Sequence, residues 1–373
     1  MRAAFSTLAA FASGLFYVAH AQGLTDPLSL GSYLQPPPAL RNNFGRFRSP
    51  LIFEDGTSVS SAPDWTRRRD QLRREWEGFM GLWPPVLTDP KVDYLSEVRM
   101  DGYVKHRVRI QIAPDASGEG WMLIPDGAGP FPAALVVYYE PETSVGLSKE
   151  PLRDFGLQLA KRGFVTLSIG TPGGNAWKPD IGKAQCQPLS FHAYVAANCW
   201  NVLAKTPRVD ASRIGVVGHS YGGKWALFAA AFWEKFAAVA VSDPGIVFDE
   251  TRPNVNYWEP WYLGWDPNET RPPGLPGPTN PRTGAYKRLR EAGHDLPEVL
   301  ALIAPRPFLL SGGSEDPPER WQALNHLAAV NRVLGFTNRV AMTSRKDHPP
   351  TEESNAIMYS FFEHFLKNSN KHQ

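Results

Sequence analysis

A chain of 373 residues with 39 basic and 37 acidic side chains, a formal charge of +2 and 42% hydrophobic residues has neither the basic excess of a nucleic-acid binder nor the make-up of a disordered polypeptide. The length exceeds one small domain yet suits a single decorated α/β domain with a large core. The two cysteines, Cys186 and Cys199, form no Cys/His cluster at zinc spacing, so no metal is expected, and nothing points to a cofactor.

Arg2, the apolar run Leu8 to Val18 and then Ala19-His20-Ala21 have the order of a signal peptide, residues 1–21, cut before Gln22. The run is too short for a membrane span and is broken by Ser13 and Gly14, and no later stretch is long enough, so a soluble secreted or periplasmic protein is expected. In an oxidising compartment Cys186 and Cys199 are expected to pair and close a short loop, two buried thiols being the alternative.

Residues 22–61 are rich in Pro, Gly and Ser around Pro36-Pro37-Pro38 and predict an extended arm. Asp64 is expected to cap a helix over Trp65 to Gly81, whose Leu72, Trp76, Phe79 and Met80 recur at helical spacing. Its arginines, Arg67 to Arg69, Arg73 and Arg74, are expected on a solvated face. Arm and helix together make up residues 22–90, and the catalytic domain is expected over 91–373.

Tyr94–Arg99, Tyr103–Ile112 and Trp121–Ile124 predict three strands joined by short turns, an antiparallel entrance to a sheet. From Ala133 the pattern becomes strands alternating with helices, which predicts a mainly parallel sheet covered on both faces. The expected strands are Ala133–Tyr139, Val165–Ile169, Ile214–Val217, Ala237–Val241, Phe308–Leu310 and Arg339–Met342. Helices are expected near Pro151–Lys161, Ser190–Ala204, Lys224–Lys235, Arg320–Val333 and Glu352–Lys367. An insertion over about 244–295, rich in Pro, Gly and Trp, has the length of a functional lid or binding surface.

Chemistry concentrates where the strand Arg213-Ile214-Gly215-Val216-Val217 runs into Gly218-His219-Ser220-Tyr221-Gly222-Gly223 and a helix pattern begins. Strand, G-x-S-x-G and helix in this order predict a nucleophile elbow. The glycines permit a sharp turn that lifts the Ser220 hydroxyl into a pocket and aims the following amides, beginning with Tyr221 N–H, at a substrate oxygen. A serine hydroxyl needs a base, and the base an orienting acid. His348, after the last strand, is the expected base, while His192, His326 and His364 fall in helical patterns. Asp316, in the turn after Leu309-Leu310, is the first choice of acid, and Asp243, after the preceding strand, is the rival. The second oxyanion donor is expected near Tyr139-Glu140-Pro141.

These residues identify the α/β-hydrolase superfamily over roughly residues 94–367, and within it the chain resembles the glucuronoyl esterases and neighbouring acetyl xylan esterases. The resemblance rests on Lys224, four residues after the serine, on Asp243, and on Ala304-Pro305-Arg306-Pro307. It implies a secreted serine esterase that acts through an acyl-enzyme on a carbohydrate-linked ester of acetyl or uronoyl type, with Lys224 touching sugar hydroxyls. The chain departs from the glucuronoyl pattern at His219 and Tyr221, where that family carries cysteine and arginine. Turns similar to those of prolyl-oligopeptidase-like peptidases are also present, but a large propeller domain has no room here. Among the aromatics of the insertion, Trp258 and Trp261 are candidate sugar-stacking residues. The remaining alternatives are a hydrolase for small acyl esters or peptides and an inactive hydrolase fold used for binding.

Overall fold

The structure, a computed structural model, describes residues 30–253 and 255–367. The expected signal peptide lies outside the described residues. The arm carries two short 3-10 turns, Leu30–Tyr33 and Pro38–Leu40. Asn325 donates its side-chain amide to the carbonyls of Leu40 and Asn43, and His326 Nε2 donates to that of Phe44 at 3.0 Å, so the arm is fastened to the body.

Helix α1, Ala62–Met80, buries Trp65, Leu72, Trp76 and Met80 along one stripe. Its cap is Ser61, which accepts from the Asp64 amide, and Asp64 answers from inside the first turn. Its arginines are not simply a solvated face. Arg68 is 1% exposed and pairs with Glu75 at 3.1 Å, while Arg69 and Arg73 reach Glu234 at 3.0 and 3.1 Å and Arg73 also donates to the Phe232 carbonyl. Arg69 and Arg73 therefore fasten the helix to the body, Arg68 pairs within it, and Arg67 and Arg74 are left exposed.

Strands β1 (Val92–Met100), β2 (Tyr103–Ala113) and β3 (Ala116–Pro125) form the antiparallel meander, and β3 pairs antiparallel with β5 (Val165–Ile169). Strands β4 (Phe131–Val137), β5, β6 (Val209–His219), β7 (Ala238–Ser242), β8 (Phe308–Gly312) and β9 (Val340–Ser344) are parallel. The nine-stranded order is β1-β2-β3-β5-β4-β6-β7-β8-β9. Near-continuous apolar runs make these strands because both faces are covered. In β4, Ala133, Leu135 and Val137 point into one core and Ala134 and Val136 into another, the two-residue period of a pleated strand.

The helices are α2 (Pro141–Ser144), α3 (Phe155–Lys161), α4 (Pro188–Lys205), α5 (Tyr221–Phe232), α6 (Gly284–Glu291), α7 (Pro297–Ala301), α8 (Trp321–Val333) and α9 (Glu352–Phe362). Helices α4, α5 and α8 join α1 over one face, and α3 and α9 cover the other. This is the mainly parallel, doubly covered sheet expected of an α/β-hydrolase. Helices α2, α6 and α7 have no counterpart among the expected elements: α2 and α7, of four and five residues, give too few turns to display a period, and α6 lies in the insertion read as irregular.

The insertion is ordered, though it has little regular structure. Arg271 donates to the carbonyls of Pro281 and Gly274, Arg282 pairs with Glu250, and Asp295 accepts the amides of Phe248 and Leu296 at its base. Tyr257, Trp258, Trp261 and Tyr262 are buried within the main core cluster. Cys186 and Cys199 are free thiols packed in that core, and no disulfide joins them. They serve as small apolar side chains there, and burial pushes both up to about 12. No described helix is long and apolar enough to cross a membrane.

Candidate active site

The loop from β6 to α5 has no space for side chains at its glycines. A Cβ on Gly218 would lie 2.2 Å from the Gly222 carbonyl oxygen, and one on Gly222 would lie 2.0 Å from that of Val137. Between them Ser220 takes φ 55°, ψ −118°, a left-handed conformation costly for any residue with a side chain. Its own amide is tied to the Ser242 carbonyl at 2.8 Å. The helix starts at Tyr221, so the Tyr221 amide is among the first-turn N–H groups that have no partner within the helix.

His348 follows β9 and is held by Arg345, which donates to the carbonyls of His348, Pro349 and Ser311. His348 Nδ1 lies 2.7 Å from Asp243 Oδ2. The carboxylate partner of the histidine is therefore Asp243 and not Asp316, the first choice from sequence. Asp243 stands at the end of β7 with φ 51°, fully buried. Its Oδ1 accepts the amides of Gly313 at 2.7 Å, Glu315 at 3.1 Å and Asp316 at 2.8 Å. Asp316 thus lends its backbone to the rival acid. Its own carboxylate turns the other way and accepts the amides of Gly245 and Ile246 at 2.6 and 2.7 Å, clamping the start of the insertion. Burial, with the nearby Asp243 charge adding to it, pushes the Asp316 carboxyl up to about 6.

Ser220, His348, Lys224, Glu315 and Tyr139 line one cavity of about 360 Å3, closed from the insertion side by Trp261, Tyr262, Pro253 and Asn256 and from another loop by Trp177. Burial raises the Tyr139 phenol, and the neighbouring Ser220 side chain opposes the rise. Lys224 is 3% exposed, its Nζ 5.3 and 5.2 Å from the ring centroids of Tyr257 and Tyr262. Burial lowers its ammonium to about 8, opposed by the carboxylates of Glu315, Asp316 and Asp243. The Glu315 carboxyl is raised by burial, and its side chain lies 3.5 Å from Arg252.

Trp258 is not in this cavity. It is wholly buried and packs edge-on to Tyr286, 6.1 Å between centroids, as a core residue of the insertion. Tyr221 is also buried, its ring 4.8 Å from Tyr139 and 4.9 Å from Trp261, with its hydroxyl bonded to Thr171 and His192. Its side chain supports the cavity wall, so only its amide can face a substrate oxygen. Burial brings His192 down to about 4, which keeps it neutral within this network. His219 packs on His348 with centroids 4.6 Å apart. Its Nδ1 faces the Ser242 carbonyl at 3.1 Å and therefore donates. Burial, followed by the charges of His348, Arg153 and Arg345, holds it well below the ordinary histidine value. Tyr139 was signalled only as part of a turn, while Trp177, Asn256 and Glu315 gave no signal of their own, because long-range packing alone brings them to the serine. No group of side chains among the described residues has the make-up of a metal site.

The chain is 23% identical over 362 residues to 4-O-methyl-glucuronoyl methylesterase 1 of Wolfiporia cocos, covering 87% of this chain and 81% of that protein. In structure it is similar to a glucuronoyl esterase from Solibacter usitatus, with TM-score 0.66 and 17% identity over 86% of this chain and 97% of the other. It is also similar to a promiscuous CE15 esterase from a marine bacterial metagenome, with TM-score 0.65 and 18% identity over 90% and 99% of the two chains. Residues 154–371 match the model of the prolyl oligopeptidase family, Peptidase_S9. That match spans α3 to α9, the elbow and His348 included, and covers more than half of the chain: the protein is a serine hydrolase and belongs to the prolyl oligopeptidase family.

Proposed function

We propose that the chain is an exported esterase that hydrolyses a carbohydrate-linked ester of acetyl or uronoyl type through an acyl-enzyme. One observation carries the reading: His348 is bonded to buried Asp243 at 2.7 Å and shares a cavity with Ser220 on its strained elbow. In this mechanism Ser220 Oγ attacks the ester carbonyl while His348 Nε2 takes its proton. Asp243 holds Nδ1–H and stabilises the imidazolium that forms. The negative oxygen of the tetrahedral intermediate is met by the Tyr221 amide and the Tyr139 hydroxyl. Collapse expels the alcohol, which takes the proton from His348. Water, deprotonated by the same histidine, then releases the acid from Ser220.

The carbohydrate part of the reading is supported by the glucuronoyl esterases similar in sequence and structure, and by the cavity itself. Lys224 offers charged donors, Glu315 and Asn256 offer acceptors, and Trp177 and Trp261 offer ring faces, a combination suited to a hydroxylated ring. Export is supported by the order of residues 1–21. The test is a hydrolysis screen over acetylated xylan, methyl esters of glucuronic acid, feruloyl esters and p-nitrophenyl acetate, with wild type and Ser220→Ala. A sugar ester should be the best substrate and Ser220→Ala should be inactive on all. Retained hydrolysis in Ser220→Ala would end the mechanism, and indifference to every sugar ester would end the substrate class.

A further inference from the structure

Trp177 and Trp261 belong to two cavities at once. Besides the one that holds Ser220, they line a second of about 590 Å3 that contains none of Ser220, Lys224 and His348. The two indoles meet edge to face, 5.5 Å between centroids, and form a partition between neighbouring spaces. The second space lies within the range of about 300–1,000 Å3 usual for small-molecule sites. Trp177 is 67% exposed, although tryptophan is ordinarily well covered. Trp261 is 4% exposed, with an indole N–H that has no hydrogen-bond partner.

The polar lining narrows the chemistry. Asp180, Asp266 and Glu269 bring carboxylates to this cavity. Asp180 and Asp266 each use Oδ1 to accept a turn amide, from Gly182 and Asn268 at 2.8 Å, which fixes the group and leaves the second oxygen to accept from a ligand. The guanidinium of Arg271 is spent on the carbonyls of Pro281 and Gly274. Lys178 also lines the cavity, but with Arg271 so committed the three carboxylates outnumber it, so an anionic ligand is disfavoured, and a bare aromatic ring would desolvate the carboxylates without supplying donors. A neutral pyranose answers both needs, with C–H faces for indoles and hydroxyl donors for carboxylates.

We propose that this second cavity is a glycan subsite that takes a neutral sugar unit of the same chain that carries the ester, with the partition of Trp177 and Trp261 setting the path from one unit to the next. The proposal rests on the carbohydrate-ester reading above. It makes the enzyme one that recognises an oligosaccharide and not only the esterified sugar.

The experiment compares kcat/KM on the methyl ester of glucuronic acid with that on the same ester borne on xylotriose, and repeats the comparison with acetylated xylose and xylotetraose. Trp265→Ala and Glu269→Gln, which alter the second cavity alone, are run beside wild type. Wild type should prefer the longer member of the cleaved pair by about tenfold, and both variants should lose that preference through KM. As a readout that needs no turnover, unesterified xylotetraose should quench tryptophan fluorescence in Ser220→Ala and not in Ser220→Ala/Trp265→Ala. Equal rates on short and long members in wild type, or a preference that survives both substitutions, would overturn the subsite. A preference for benzyl over methyl glucuronate that Trp265→Ala abolishes would give the cavity to the leaving alcohol, which also overturns it. Cleavage of p-nitrophenyl acetate with none of the sugar esters would instead overturn the carbohydrate reading itself, and the subsite with it.

Discussion

Asparagine at position 243 keeps the volume of the aspartate but cannot satisfy all of its neighbours. Three amides converge on Oδ1, from Gly313, Glu315 and Asp316 at 2.7 to 3.1 Å, and an NH2 group there would face three donors. The asparagine oxygen must therefore take the Oδ1 place, which turns its NH2 toward His348 Nδ1, 2.7 Å from the present Oδ2. That group only donates, so Nδ1 becomes the acceptor and the imidazole proton moves to Nε2, the nitrogen that has to receive the proton of Ser220. The wrong tautomer predicts a fall in kcat of about 10^4, as for the equivalent change in other triads. That is about 5.4 kcal/mol at about 1.36 kcal/mol per tenfold. Asp316→Asn leaves the tautomer alone and should cost less than about tenfold. Steady-state hydrolysis of p-nitrophenyl acetate by the two variants, with circular dichroism to check the fold, decides the matter. Comparable losses in both, or a large loss confined to Asp316→Asn, would refute the assignment of Asp243.

The raised Asp316 carboxyl has a thermodynamic signature. Between the ordinary aspartate value and about 6 the folded state holds a proton that the unfolded chain has released, so stability falls as pH rises through that window, on the order of 3 kcal/mol in all. Buried Asp295, likewise pushed up to about 6, adds to this slope in urea unfolding of wild type against pH, and Asp316→Asn should reduce the slope while Asp295 keeps its share. Gly222→Ala places a Cβ 2.0 Å from the Val137 carbonyl oxygen and should lower stability by about 3 kcal/mol, seen as a lower urea midpoint or loss of folded protein. Lys224 is charged below about 8 and neutral above it, so KM for a sugar ester should rise as pH passes through about 8. Lys224→Met should show a raised KM without that dependence. Both cysteines should resist Ellman's reagent in the folded protein, and two thiols should react on unfolding without reductant.

The sheet and the elbow were readable because their signals are local. Val165–Ile169 begins and ends as its apolar run does, and Gly218 and Gly222 mark a turn whose close contacts lie within the motif or on the adjacent strand β4. The acid was a choice between two strand ends, and spacing cannot decide which of two carboxylates, at different distances along the chain, points at the histidine. The decision lies in Gly313, whose lack of a side chain lets its amide approach Asp243. The turn favoured by position serves as a cradle for the other candidate. Trp258 and Trp261 were indistinguishable in sequence, three residues apart in one aromatic cluster. Only the packing of Trp258 on Tyr286 separates a core residue from a wall residue. Cys186 and Cys199 carry no mark of whether they face one another, and the expected bridge failed there.

The clamp of Asp316 on Gly245 and Ile246 divides labour along the chain. Upstream of it, Ser220 and Asp243 are set by the ends of β6 and β7, while His348, far beyond it in the chain, is pinned by Arg345 to the end of β8. Downstream, up to Asp295, lies the stretch that supplies Asn256, Trp261 and Tyr262 to the serine cavity and Trp265, Asp266 and Glu269 to its neighbour. Asp295 fastens the far end to Phe248 as Asp316 fastens the near one. The segment is thereby an exchangeable cassette with two fixed sockets. Swapping residues between Phe248 and Asp295 among related chains would retarget the enzyme while leaving its reaction centre untouched, whereas a splice placed two residues earlier would pull out the socket itself.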